Sequence, residues 1–172
     1  KKSIVLAQYF LQLNEYLPSG KPKVKNFPAG ASTYCSRDIY NKAGGYPEIR
    51  AAEDVVFGLL INKITELWFF PDATSVHIFR ENKKSFYVNQ KMLGQYAALY
   101  RKKMGTMRRL PSQISIILYP GFLIIKLSRI LFRLILSGPR NIFLLLRVFP
   151  LFLAGLHHWT LGFINGLAED TE

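Results

Sequence analysis

The fold is decided by two long apolar stretches: residues 112–137, SQISIILYPGFLIIKLSRILFRLILS, and residues 142–167, IFLLLRVFPLFLAGLHHWTLGFINGL. A spanning helix needs about 20 apolar residues. The first stretch carries Lys126, Arg129 and Arg133 at spacings of three and four, and each such charge costs roughly 2.5 to 3.5 kcal/mol at mid-bilayer. This predicts an interfacial helix, with the charged stripe among headgroups. The opposite face should contact lipid: Ile124, Ile125, Leu127, Ile130, Leu131 and Leu134.

The second stretch is the better candidate for a transmembrane helix. Its ionisable side chains are Arg147 near one end and the deeper pair His157-His158. Ser137-Gly138-Pro139-Arg140 between the stretches indicates a tight connection, so the pair should form a helical hairpin. The basic cluster at residues 101–109 belongs on the cytoplasmic side of a membrane under the positive-inside rule.

The chain upstream of Leu110-Pro111 has the pattern of a soluble domain, because apolar residues alternate there with polar ones. Residues 1–81 hold 10 basic and 8 acidic side chains, whereas residues 82–168 hold 13 basic and no acidic ones. We therefore predict a soluble portion at 1–110, a membrane-associated hairpin at 111–168 and an acidic tail at 169–172.

Composition excludes several classes of protein. A chain of 172 residues that is 49% hydrophobic is neither disordered nor collagen-like. A single cysteine, Cys35, excludes an internal disulfide framework and a cysteine-based zinc site. The chain begins with Lys1 and its opening residues lack the features of a signal peptide, so we expect a truncated N-terminus.

Local patterns predict the elements of the soluble portion. Helices are expected at Ser3–Tyr16, from a Ser36 cap to Lys42 before Gly44-Gly45, at Ala51–Lys63 with a stripe of Val55, Val56, Leu59 and Leu60, and at about Lys84–Lys103. Strands are expected at Ala29–Tyr34, Leu67–Phe70 and Thr74–Phe79, with a loop at residues 21–26.

Three motifs could carry chemistry: Gly44-Gly45-Tyr46-Pro47, Ala52-Glu53-Asp54-Val55, and the segment from Phe70-Pro71-Asp72 to His77 and Arg80. Each has a structural explanation when taken alone. Glycines commonly end a helix, and acidic residues in a first helical turn complement the helix dipole. A lone histidine at a strand end is usually structural, an exposed arginine is usually solvated, and Cys35 fits an inert thiol.

In this order and spacing, from Gly30 to Gly94, the motifs resemble the C-terminal half of the catalytic domain of family 2 inverting glycosyltransferases. The resemblance implies part of an α/β domain of the GT-A type, with few strands and several helices, followed by the hydrophobic hairpin. The tail, ending in Trp159-Thr160-Leu161-Gly162, is similar to the membrane tail of bacterial members. It implies a role in cell envelope polysaccharide biosynthesis at the cytoplasmic (inner) membrane.

The resemblance also implies residue roles. Asp54 would be the general base that accepts the proton of the attacking hydroxyl, with Glu53, Gly44 and Gly45 shaping the acceptor pocket. His77 would help to bind a divalent metal, manganese or magnesium; imidazole suits Mn²⁺ better than Mg²⁺. Arg80 would neutralise charge on the leaving diphosphate.

The resemblance is incomplete, because no Asp-x-Asp metal motif occurs in the sequence. The nucleotide-binding half should precede residue 1, so the chain alone should be inactive. The loop between Gly45 and Glu53 is short, and the absence of a Gln-x-x-Arg-Trp motif disfavours processive synthesis. The expected donor is a nucleotide-diphosphate sugar, and the acceptor is a lipid, a polyprenyl phosphate carrier or a growing glycan.

Two other classes of protein compete with this interpretation. A net charge of +12 could indicate nucleic-acid binding, but the late basic residues are interleaved with Leu and Ile, so no nucleic-acid partner is expected. A non-catalytic membrane anchor or adaptor fits the basic hairpin better, because such a hairpin would bind membrane lipid through apolar burial and charge.

Overall fold

The structure, a computed structural model, describes residues 2–28, 32–49 and 51–169. Within these ranges the chain is mostly helical, with one antiparallel pair of short strands. This confirms the expectation of few strands and several helices. The elements are α1 (Lys2–Gln12), β1 (Lys23–Lys25), α2 (Arg37–Lys42), α3 (Glu53–Asn62), β2 (Leu67–Phe69), α4 (Lys83–Lys103), α5 (Ser112–Ile117), α6 (Tyr119–Leu136) and α7 (Pro139–Ala168).

The chain divides into two compact units. One, the mixed unit, is Tyr16–Ile78; the other, the helical unit, is Lys1–Glu15 together with Phe79–Glu172. The predicted boundary at Leu110-Pro111 lies inside the helical unit, where the Leu110 amide donates to the Leu167 carbonyl at 3.2 Å.

The mixed unit is built around the β1–β2 pair and helix α3. In the pair, Lys23 lies opposite Phe69 and Lys25 opposite Leu67. The prediction of a loop at residues 21–26 is therefore wrong at residues 23–25, because pairing with β2 overrides the weak strand propensity of the lysines. Tyr16 packs edge-on against Phe69, with ring centroids 5.7 Å apart.

Two other predicted strands, Thr74–Phe79 and Ala29–Tyr34, are not seen among the described residues. Thr74–Phe79 forms no strand within the described residues, and its side chains Val76 and Ile78 are 95% and 90% exposed. An alternating pattern makes a strand only where a partner strand supplies hydrogen bonds. Residues 29–31 of the predicted strand Ala29–Tyr34 lie outside the described ranges, and residues 32–34 are not a strand.

Helix α3 presents a different face to the core from the one predicted. Its buried residues are Phe57, Gly58 and Ile61, whereas the predicted stripe of Val55, Val56, Leu59 and Leu60 is only partly buried. A Cβ on Gly58 would overlap Pro28 and Phe27, so this face packs closely against the 27–28 backbone.

The helical predictions otherwise hold, apart from their ends. Helix α1 ends at Gln12, before the predicted Tyr16, and the Asn14 side chain donates to the Leu11 carbonyl at 3.2 Å, a local bond that competes with helix continuation. Helix α4 begins one residue earlier than predicted, after the cap Asn82. The Asn82 side chain accepts from the amides of Lys84 and Ser85.

Helices α4 and α7 form the core of the helical unit. They run parallel, with Gly162 against Lys91 and Gly166 against Gln95. A Cβ on Gly94 would overlap the Trp159 carbonyl. Small residues therefore bring the two backbones into direct contact, as in small-xxx-small helix pairs.

The predicted hairpin is confirmed as α6 and α7 joined at Gly138, whose φ of +112° opens the turn before Pro139. The two helices are antiparallel, because Phe122 packs on Phe163 and Lys126 on Trp159. The first apolar stretch is interrupted at Leu118, so α5 and α6 are separate helices.

The predicted orientation of α6 is wrong in part. Lys126 lies over the Trp159 ring and Arg133 forms a salt bridge with Glu15 at 2.7 Å, while Arg129 is exposed. The contacts with Trp159 on α7 and with Glu15, which follows α1, turn Lys126 and Arg133 toward the protein. The face predicted to contact lipid is divided, with Ile124 and Ile125 exposed but Ile130 and Leu134 buried.

Candidate functional site

The glycine turn after α2 has the backbone conformation that the sequence predicts. Helix α2 begins after the Ser36 cap, and Gly44 and Gly45 follow its end with φ of +80° and +73°. The Gly45 amide donates to the Tyr40 carbonyl at 3.0 Å. A Cβ on Gly45 would lie 3.0 Å from the Tyr40 hydroxyl, so glycine allows the chain to close tightly over that ring.

Tyr46, directly after the turn, packs into an aromatic cluster. Its ring centroid lies 4.2 Å from that of Phe57 and 6.3 Å from that of Tyr40. Because Phe57 belongs to α3, this contact joins the glycine turn to the helix that carries Glu53 and Asp54.

The charges of the two carboxylates influence the pKa of the Tyr46 hydroxyl. Burial raises the pKa of this hydroxyl, and a hydrogen bond with the Thr33 side chain opposes the shift. The charges of Asp54 and Glu53 raise the same pKa further. The structure thus packs the glycine turn against α3 through Tyr46 and Phe57, and it places the Tyr46 hydroxyl within electrostatic range of Glu53 and Asp54.

The acidic pair opens α3. Glu53 is exposed and Asp54 is partly buried. The Asp54 Oδ1 atom accepts from the Val55 amide at 2.8 Å, which satisfies one of the amide donors left open at a helix start. Both charges also complement the helix dipole.

Ala52, the residue before this pair, has a left-handed backbone with φ of +68° and ψ of +17°. It is the one non-glycine residue with positive φ in the described part of the chain. Such a conformation costs an alanine roughly 1–2 kcal/mol, and it ends the preceding loop so that α3 starts at Glu53 and not at the predicted Ala51.

We expect Ala52→Gly to raise the free energy of unfolding by about 1 kcal/mol, because glycine adopts positive φ without the Cβ clash. The matched opposite change is Gly44→Ala. Gly44 has φ of +80°, and no atom lies within 4 Å of the position that a Cβ would take. The Gly44→Ala variant should therefore lose a similar amount of free energy of unfolding. Urea unfolding of both variants measures the difference. Equal destabilisation by both would show that Ala52 is not strained.

His77 and Arg80 lie in the segment without regular structure between β2 and α4, and both are exposed. They belong to different units: His77 is in the mixed unit and Arg80 in the helical unit, where the Arg80 carbonyl accepts from the Gln8 side chain. In the described ranges no three His, Cys, Asp or Glu side chains are grouped so that they could hold a metal ion.

The apolar surface that is relevant to membrane contact lies on the helical unit. Helix α7 is the one helix in the described part of the chain that is long and apolar enough to cross a membrane, by length and composition. Exposed apolar side chains also cover the end of the hairpin, where Ile135, Pro139, Ile142, Phe143 and Leu146 line a shallow groove.

Two features were missed by sequence reasoning. The contact between Tyr46 and Phe57 of α3 had only the aromatic residue after Gly45 as its signal. The inward-facing Lys126, with Arg101 nearby, had no local signal, because it depends on rings contributed by α7.

Comparison with known proteins gives no match: no family model, no curated protein and no solved structure is similar to this chain.

Proposed function

We propose that this chain is the acceptor-side portion of a membrane-associated, inverting glycosyltransferase of family 2, with a catalytic domain of the GT-A type. The main support is that the Gly44-Gly45-Tyr46 turn packs against the helix that begins with Glu53-Asp54, through the ring contact of Tyr46 with Phe57, and that the Tyr46 hydroxyl lies within electrostatic range of the two carboxylates. Apolar walls with a few convergent polar groups are typical of small-molecule sites.

In the proposed reaction an acceptor hydroxyl attacks the anomeric carbon of a nucleotide-diphosphate sugar, and the diphosphate leaves from the opposite face. Asp54 takes the proton of the attacking hydroxyl. The Asp54 Oδ1 atom also accepts from the Val55 amide at 2.8 Å, which holds the carboxylate at the start of α3. The proposed acceptor pocket is lined by Glu53, Gly44 and Gly45, and the Tyr46 ring forms one of its walls.

A divalent metal, manganese or magnesium, would be held only in part by this chain. His77 offers one imidazole ligand, and the described residues bring no two further ligands to it. The remaining ligands would belong to a nucleotide-binding half, and no catalytic step above depends on the metal. The exposed side chains of Val76 and Ile78 beside His77 would suit a further strand from that half.

The proposal is tested by donor binding and hydrolysis in a protein that joins this chain to a nucleotide-binding half. With Mn²⁺ present, a screen of nucleotide-diphosphate sugars should release one nucleoside diphosphate. His77→Ala should weaken Mn²⁺-dependent nucleotide binding, measured by titration calorimetry. Unchanged affinities for both Mn²⁺ and nucleotide would make His77 a structural residue.

A second function, non-catalytic membrane attachment, is favoured by the exposed apolar end of the hairpin. It is compatible with the enzyme, which we place at the cytoplasmic face of the inner membrane with its basic 101–109 cluster on that side. The acceptor would then be a lipid-linked sugar carrier or a glycan close to the membrane.

The contacts of α7 limit how deeply the hairpin can insert. Residues 155–168 pack along the polar helix α4, and the Arg109 side chain donates to the Ala168 carbonyl at 3.2 Å. The end of α7 therefore lies beside the basic cluster. The part of α7 before Gly155 has 16 residues, or about 24 Å, which is less than the roughly 30 Å of hydrocarbon core.

We therefore expect the hairpin turn to stay within the membrane. In a Cys35→Ser background, a cysteine at Gly138 should resist a membrane-impermeant thiol reagent from outside. A cysteine at the exposed Ser112 is the control and should react from the cytoplasmic side. Labelling of the Gly138 cysteine only from outside would show that the hairpin crosses the membrane.

A further inference from the structure

Four cationic side chains of the helical unit lie close together around a single carboxylate. Arg101 comes from the last turn of α4, and Lys126, Arg129 and Arg133 come from α6. Glu15 forms a salt bridge with Arg133, with the two side chains 2.7 Å apart. Arg133 also donates to the Asn14 side chain at 2.6 Å. The other three cations form no salt bridge with any carboxylate in the described residues.

Lys126 and Arg101 rest on a pair of aromatic rings. The Lys126 Nζ atom lies 3.5 Å from the centroid of the Trp159 ring, and the Arg101 guanidinium lies 5.6 Å from that of Phe163. The two rings are stacked, with centroids 5.1 Å apart and planes 15° from parallel. The rings attract the cations through their quadrupoles but supply no negative charge.

The positive charge of these partly buried side chains is therefore not fully compensated by nearby carboxylates. The pKa of Lys126 is lowered to about 7, chiefly by burial; the charges of the neighbouring arginines contribute to this shift, and the charge of Glu15 opposes it. Burial also lowers the pKa of Arg101, and the charge of Arg129 adds to that shift. An anion placed among these groups would restore the balance, because opposite charges favour the ionised forms.

The surroundings of this cluster indicate which anion fits. Ile125 and Phe132, which lie four residues before and three residues after Arg129 and therefore on its face of α6, are 57% and 62% exposed, so the charged group borders an apolar surface. Tryptophan is enriched at the level of lipid headgroups, and Arg and Lys are common partners of phosphate oxygens. A phosphate attached to acyl or prenyl chains satisfies both surfaces at once.

We propose that Arg101, Lys126 and Arg129 bind the phosphate group of an anionic membrane lipid above the Trp159–Phe163 pair. Lys126 and Arg101 contact the phosphate oxygens from opposite helices, and Arg129 lies at the solvent-exposed edge. The binding site is independent of the proposed glycosyltransferase activity, since none of its residues belongs to the mixed unit.

The chain provides its own fluorescent reporter, because Trp68 and Trp159 are its two tryptophans. In a Trp68→Phe variant of the whole chain, Trp159 emission should change saturably with phosphatidylcholine vesicles that contain phosphatidylglycerol, and much less with phosphatidylcholine alone. Lys126→Gln should weaken this binding by about tenfold or more, as expected for loss of a charged hydrogen bond. Lys103→Gln, the same charge change at an exposed position of α4, should weaken it by about fivefold or less.

A stability measurement distinguishes a binding site from general surface attraction. Without lipid, Lys126→Gln should raise the melting temperature, because it removes a partly buried charge that no carboxylate compensates, whereas Lys103→Gln should not. Equal losses of affinity in the two variants would overturn the proposal. If Lys126→Gln does not fold by circular dichroism, the exposed Arg129→Gln replaces it in the same comparison.

The source of the phosphate is tested with soluble ligands. Inorganic phosphate and glycerol phosphate, compared with chloride at equal ionic strength, should leave Trp159 emission nearly unchanged, since they lack the chains that contact Ile125 and Phe132. Saturation of the signal by either soluble ligand alone would overturn the assignment to a lipid.

Discussion

Asp54→Asn should lower sugar transfer by about 10²- to 10⁴-fold, the usual contribution of a general base, in a protein that combines this chain with its nucleotide-binding half. The asparagine Oδ1 atom can still accept from the Val55 amide, as the Asp54 Oδ1 atom does at 2.8 Å, so the start of α3 should persist. Transfer from a radiolabelled donor, with nucleotide affinity measured in parallel, tests this separation of roles.

Glu53→Gln provides the matched control for the neighbouring carboxylate. Glu53 is the more exposed of the pair, and its proposed part is to shape the acceptor site, so its loss should affect transfer less than Asp54→Asn does. Transfer at the wild-type rate in the Asp54→Asn variant, at matched expression, would remove Asp54 from the role of base.

Gly162→Ala should destabilise the helical unit by about 3 kcal/mol, near the upper end of the usual cost of overpacking. A Cβ at this position would overlap the Lys91 carbonyl, which is backbone and cannot rotate away. For a chain of this size the melting temperature should fall by roughly 6–12 °C. Gly94→Ala, which meets the Trp159 carbonyl from the other helix, should have a similar effect.

Gly121→Ala is the control for the helical propensity of alanine. Gly121 lies in α6 with nothing within 4 Å of a built Cβ, so this variant should gain up to about 1 kcal/mol. Thermal unfolding followed by circular dichroism in detergent compares the three variants. A Gly162→Ala protein as stable as the Gly121→Ala protein would mean that α4 and α7 do not make direct backbone contact.

The close approach of α4 and α7 also bears on how the hairpin meets the membrane. Gly162 on α7 packs against Lys91 on α4, Gly166 packs against Gln95 and Ala98, and Gly94 on α4 packs against the Trp159 backbone. Because α4 is rich in charged residues, we expect the half of α7 that packs against it to stay outside the hydrocarbon core of the membrane. The apolar residues left exposed at the other end of the hairpin, such as Phe132, Phe143 and Leu146, are then the ones available to lipid.

Local signals determined those parts of the fold that depend on a few neighbouring residues. The Ser36 cap and the Gly44-Gly45 stop bound α2 as predicted, and Gly138-Pro139 turns the hairpin. These features follow from side-chain capping and from the φ range of single residues. The chemical roles that the family resemblance implies for Gly44, Gly45, Glu53 and Asp54 remain predictions.

Tertiary structure alone decided the features that depend on residues far apart in the chain. The lysine-rich β1 is a strand only because β2 lies beside it, and α3 turns Phe57 inward because Gly58 admits the 27–28 backbone. Lys126 lies over Trp159 because α7 folds back along α6. Hydrophobic periodicity predicts that a helix is amphipathic, but the free energy of a face depends on the groups that pack against it, and these are determined by long-range contacts.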